Sequence, residues 1–217
     1  MGIYVGFDPG GSGAFGWSVL SGEALPLRLV GHGIADHAQG VFEAAMSCAG
    51  PKINAVGIDA PLFWNPAGDR EADRVVRRAI RERGCSSASG TVNAVNALRG
   101  ACVIQGVLIA MLCQRRYGTE MRITEAHPKA LLWLTGKASS ECRTLDISLS
   151  DLSEYILGSR VEGANDHQRD AALGAVAAYY MLSRPMGWRD LYPLERNPIT
   201  PLNPPPGYWM PLPPKSV

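Results

Sequence analysis

The alternation of apolar and polar positions lays out the elements before any single residue does. Ile3, Tyr4, Val5 and Phe7 lead into Gly10-Gly11-Ser12-Gly13, and Trp17, Val19 and Leu20 follow. Aromatic and β-branched residues on either side of a glycine cluster predict two strands, 3–8 and 13–20, joined by a turn. Residues 24–31 alternate and predict a third, completing an antiparallel three-strand meander. Val41, Phe42, Ala45, Met46 and Ala49 recur at helical spacing over 35–49, and Gly50-Pro51 ends that helix. Ile53–Leu62 is nearly all apolar, as a strand buried on both faces is. A meander, a helix and a buried strand predict an α/β fold: a mixed sheet with further parallel strands, flanked by helices.

Residues 68–83 predict a surface helix with six arginines against four acids, and Asp73 and Arg77, four apart, are placed to pair. Gly84–Thr91 is a small polar loop. A long, mostly buried helix is predicted over 92–116, ending in Arg115-Arg116-Tyr117-Gly118. Met121–Glu125 reads as a strand, Pro128 opens a helix through Leu134, 135–147 is loop, and 148–157 a further helix. The last helix, from Asp166 to Met181, has an apolar face through Leu173, Val176, Ala177 and Tyr180, and one turn back along it lies Asp170.

Beyond Arg184 the composition changes. Ten of the 16 prolines lie there, a density that excludes helix. The organisation predicted is one domain, 1–184, and an extended proline-rich tail, 185–217, pinned to the body by Trp188, Tyr208 and Trp209. A polyproline ligand for a protein partner is the alternative role for the tail.

Composition narrows the function classes. With 217 residues, 46% hydrophobic and 19% charged, the chain holds one substantial core. A net charge of +1 does not build a nucleic-acid coat, and leaves only a local basic patch for such a partner. Five cysteines without a C-x-x-C pair, and a start unlike a signal peptide, point to reduced thiols and a cytoplasmic protein. The longest apolar run, Ala101–Cys113, is too short for a bilayer, so no membrane is expected. Gly11–Gly16 matches G-x-G-x-x-G, but a strand-like run follows where a dinucleotide site needs a helix, and that reading is set aside.

The candidate chemistry lies in the acids. Three strand-like segments end in Asp8, Asp59 and Glu125, and the last helix presents Asp170. Carboxylates against a core need a partner. Hard divalent cations, Mg2+ or Mn2+, take such oxygen donors, and two of them can activate a water and stabilise a leaving oxygen in phosphoryl displacement. Blander readings stand beside this. Asp8 can simply hold its turn, and Asp166 suits a helix first turn. His127 and His167 are ligands or proton shuttles on one reading and ordinary hydrogen-bonding histidines at helix starts on the other.

Gly6-Phe7-Asp8-Pro9-Gly10, Gly57-Ile58-Asp59-Ala60-Pro61-Leu62, Arg70-x-x-Asp73-x-x-x-Arg77, Glu125-Ala126-His127-Pro128, Asp166-His167-x-x-Asp170-Ala171 and Gly207-Tyr208-Trp209-Met210-Pro211 occur in this order. In these segments the chain resembles the family called domain of unknown function 429, described as predicted nucleases of the RNase H fold. The resemblance spans about residues 3–183 and the tail. It implies an RNase H-like sheet, Asp8, Asp59 and Asp170 as metal-holding acids, and Glu125 with His127 as a further motif beside them. Arg70 and Arg77 would line the cleft.

The function expected is metal-dependent phosphodiester hydrolysis of nucleic acid. Asp8, Asp59, Glu125 and Asp170 are the catalytic candidates. Arg70, Arg77, His127 and His167 are the substrate-binding ones, and Arg74 and Arg78 are further phosphate contacts. Two alternatives are a phosphotransferase or ATPase of the actin and sugar-kinase type, with Asp8–Gly13 as phosphate loop, and a non-catalytic binding module on the same fold. Oligomeric state and the kind of nucleic acid leave no mark on the sequence.

Overall fold

Period-two alternation in the first strand decides which layer each side chain joins. In β1 (Gly2–Asp8), Val5 and Phe7 face one core, while Tyr4 faces the other, with Gly6 and Asp8 following on its side. The chain is described here from a computed structural model covering residues 1–66, 69–94, 100–158 and 164–212. β1 pairs antiparallel with β2 (Phe15–Gly22), and β2 with β3 (Leu27–Ala35), which gives the expected meander. β4 (Ala55–Ile58) and β5 (Arg122–Glu125) run parallel beside β1. The two-residue β6 (Ile156–Leu157) lies outside β3. β8 (Gly207–Pro211) pairs parallel with β5, and β7 (Trp188–Asp190) antiparallel with β8. The strand order is β6-β3-β2-β1-β4-β5-β8-β7. This is the mixed α/β sheet that the sequence pattern predicts.

Helices cover both faces. α1 (Ala38–Ala49) and α4 (Gly100–Tyr117) pack over Val5, Phe7, Val19, Val56 and Ile58. α2 (Glu71–Glu82), α5 (Pro128–Leu134) and α6 (Asp166–Ser183) cover the other face with Tyr4, Leu20, Ala55 and Tyr208. α3 (Ala88–Thr91) is a single turn within the segment expected to be loop.

Four expectations change. The third strand runs from Leu27 to Ala35 rather than over 24–31: it pairs along β2 as far as Phe15, with a register shift at Val19/Leu20. The long helix predicted from residue 92 begins at Gly100; its predicted residues 95–99 lie outside the described residues. The helix predicted over 148–157 is a 3-10 turn, Leu149–Leu152, followed by β6. There the Ser148 backbone N–H and hydroxyl both donate to Asp151, a local bond that competes with regular helix. The tail, described to Leu212, is more than an extended segment: it forms a 3-10 turn at Tyr192–Leu194 and supplies β7 and β8 to the sheet, burying Tyr208, Met210 and Leu212.

Candidate active site

Glycines bring the last helix onto the sheet. A Cβ on Gly6 would stand 1.6 Å from the Ala171 carbonyl oxygen, one on Gly57 1.9 Å from that of Gly174, and one on Gly16 2.3 Å from that of His167. Positions 167, 171 and 174 share one face of α6, so α6 crosses β2, β1 and β4 at backbone contact. Gly6 pairs with Gly57 across β1 and β4. Each is followed two residues later, on the same side of the pleat, by an aspartate: Asp8 and Asp59. Asp170 comes from the first turns of α6. Sequence reading noted these acids but not the glycines that let them meet.

Each acid has a different companion. Asp8 Oδ2 lies 2.6 Å from Nδ1 of His167. Asp170 Oδ1 accepts from Arg169 Nε at 2.8 Å, and its Oδ2 stands 4.0 Å from Lys129 Nζ. Arg169 is itself fixed by the carbonyls of Thr144 and Ile147, at 2.8 and 2.7 Å. Among the described residues, no side-chain donor bonds the carboxylate of Asp59. Asp8 and Asp59 line a cavity of about 160 Å³ with Gly90, Thr91, Asn93, Cys102, His127 and Lys129.

Burial and mutual repulsion give this trio its electrostatic character. Burial raises the Asp8 carboxyl, against the His167 hydrogen bond that lowers it, and the same bond raises His167. Asp59 is held well above the carboxylate range by burial and then by Asp8 and Asp170. Asp170 is raised to about 6 by burial, against the pull of Arg169. The Cys102 thiol, 3.8 Å from the Asp59 carbonyl oxygen, is pushed up to about 12 by burial and by the neighbouring acids. With all three carboxylates ionised the site would carry more negative charge than its fixed cations balance, which is the repulsion that raises them.

Glu125 belongs elsewhere. It registers with Ile58, one residue short of Asp59, so the pleat does not aim it with the aspartates. Its carboxylate accepts from both terminal nitrogens of Arg70, at 2.9 and 2.6 Å, from Leu62 N–H at 3.0 Å, and meets His127 Nε2 at 3.1 Å. Burial would raise Glu125, but Arg70 and His127 outweigh it and hold the acid at about 2. Arg70 also donates to Asp73 through Nε and a terminal nitrogen, at 2.7 and 2.8 Å, and to the Phe63 carbonyl at 3.2 Å. All five of its N–H donors are committed. Tyr208 on β8 donates to Asp73 at 3.1 Å, closing the network with the tail.

The substrate-binding expectations for Arg70 and Arg77 are therefore corrected. Arg70 is 1% exposed and spent on two carboxylates. Arg77 pairs with Asp69 and donates to the Val92 carbonyl, so it anchors the segment that lines the cavity. Asp73, predicted to pair with Arg77, pairs with Arg70 instead. Arg74 and Arg78 are exposed on α2, Arg74 paired with Glu71. Lys129, which sequence reading passed over, is a partly exposed cation on the cavity. Its only local sign is its place just after His127-Pro128.

Asp73, Glu125 and His127 are, among the described residues, the one set of three possible ligands whose donor atoms all lie within 4.8 Å of one another. The Arg70 guanidinium already supplies positive charge to the two acids of that set, and a second cation there would meet it. Asp8, Asp59 and Asp170 stand further apart, and they combine hard oxygen donors with surplus charge. Oxygen donors of this kind are the ones hard divalent ions take.

The glycine turn offers little to a phosphate. Gly13 N–H and the Ser12 hydroxyl both donate to Asp36 Oδ1, at 2.7 and 3.0 Å, and Ala14 N–H to the Gly11 carbonyl. This weighs against the phosphate-loop reading.

The family model described as "Protein of unknown function (DUF429)" matches residues 8–187. The chain belongs to that family. No curated protein and no solved structure matches it.

Proposed function

We propose that this DUF429 member is a metal-dependent hydrolase of phosphodiester bonds in nucleic acid, working at Asp8, Asp59 and Asp170. The observation that carries the reading is the glycine-mediated approach of α6 to β1 and β4. It gathers three acids whose charge is not internally balanced. These residues would hold Mg2+ or Mn2+, which on binding supplies an activated water and stabilises the leaving oxygen. His167 fixes the orientation of Asp8, and Arg169 that of Asp170. His127, tied to Glu125, faces the cavity as the proton-handling candidate. Glu125 acts through His127 as a positioning residue.

The exposed Arg74 and Arg78 on α2 remain the candidates for contact with a longer strand. No helix of the described residues is long and apolar enough to cross a membrane. Five free cysteines support a reducing, cytoplasmic setting.

The test is cleavage of single- and double-stranded DNA and RNA with Mn2+, by wild type and Asp59→Asn. Wild type is expected to cut, and the variant to lose about 100-fold or more, roughly 3 kcal/mol of transition-state stabilisation, while its circular dichroism is unchanged. Equal cleavage by the variant, or none by wild type on any substrate, contradicts the reading.

A further inference from the structure

The charge count at the site is incomplete without Lys129. Asp8 has His167, and Asp170 has Arg169. Asp59 has neither, and lies with Asp8 and Lys129 on one cavity. Arg169 is 2% exposed and held by two carbonyls, so it cannot swing to Asp59. The Lys129 side chain is 41% exposed, its ammonium 4.0 Å from Asp170 Oδ2. It sits on the first turn of α5, anchored by Pro128 and by the buried Ala130, Leu131 and Leu132. A fixed base with a long flexible stem lets the charge move while the backbone stays in place.

We propose that Lys129 is the site's built-in counter-ion: its ammonium balances Asp59 and Asp170 in the metal-free protein and is displaced when a divalent cation takes those carboxylates. The inference rests on the metal-site reading above. It assigns Lys129 a role that competes with metal binding, opposite to that of a ligand.

The test is Mn2+ titration by calorimetry on wild type, Lys129→Met and Lys129→Arg, with Asp59→Asn as the site control. Lys129→Met keeps the stem and removes the charge. Its Mn2+ affinity is expected to rise about tenfold, the size expected for one partly solvated unit charge removed from beside carboxylates. The gain should shrink as salt is raised. Lys129→Arg should bind as wild type does. A purely structural lysine would lower the melting temperature without tightening metal binding. Equal or weaker Mn2+ binding by a folded Lys129→Met, where wild-type binding depends on Asp59, overturns the counter-ion role and leaves the metal site standing. Absence of Asp59-dependent binding in every protein overturns both.

Discussion

Two acidic clusters lie close together in this molecule, and they are opposites. Around Arg70, two buried carboxylates meet one guanidinium with every donor used, and Glu125 is held at about 2. Around Asp59, three carboxylates meet cations committed to only two of them, and Asp170 is raised to about 6. Both contain acids from strand ends, and the tighter one resembles a metal cage by distance alone. Charge balance separates them. A cluster that carries its own cation is complete as structure, whereas the one whose acids outnumber their fixed cations, beside a partly exposed lysine, is the one we propose to take a divalent cation.

The largest effect that would sharpen this contrast comes from Arg70→Met. It strands Glu125 and Asp73 without their cation, and a loss of about 3–5 kcal/mol is expected in denaturant unfolding. A change within error would mean that the network is not the structural half of the pair. Gly57→Ala comes next. Its methyl would meet the Gly174 carbonyl, so α6 must shift, at a cost of about 1–3 kcal/mol. Metal binding should weaken along with stability; full Mn2+ affinity in this variant would show that α6 contact does not assemble the site.

The pH response should differ in sign between the two clusters. Asp170 has a folded pKa raised to about 6 against about 3.9 when unfolded. Its contribution is present below the unfolded value and is lost as pH rises through about 6, so the metal-free melting temperature should fall over that window. Asp170→Asn should flatten the fall. Glu125, held at about 2, does the reverse: its contribution is present above the unfolded value and is lost as acid is added down through about 2. A metal-free melting temperature that rises between pH 4 and 7, with the same slope in Asp170→Asn, would break the comparison. The smallest effect is that of Tyr208→Phe, which removes one hydroxyl from Asp73 and is expected to cost about 1 kcal/mol by chemical denaturation. No change there would leave the tail's tie to the network without energetic weight.

The sequence showed Asp8, Asp59 and Asp170 because each breaks an apolar pattern at an element end. The meander, β4, α5 and α6 were legible for the same reason: periodicity is local. Glu125 looked equivalent to the aspartates because strand-end position is visible in sequence, but register against a neighbouring strand is not. Arg70 looked like a phosphate contact because its partner Glu125 is 55 residues away. The Gly-x-Asp repeat at Gly6 and Gly57 was on view, and its meaning depended on knowing which helix lies across it. Lys129 carried no pattern of its own; only the meeting of α5 with the end of β1 and the start of α6 gives it a role.

The central claim is that a divalent cation belongs with the aspartates and not with the arginine cluster. Anomalous scattering from crystals grown with Mn2+ tests it most directly. The account predicts a manganese peak against the Asp59 carboxylate, shared with Asp8 or Asp170, and none between Glu125 and His127. A peak at Glu125 and His127, or none at the aspartates at saturating Mn2+, would contradict it.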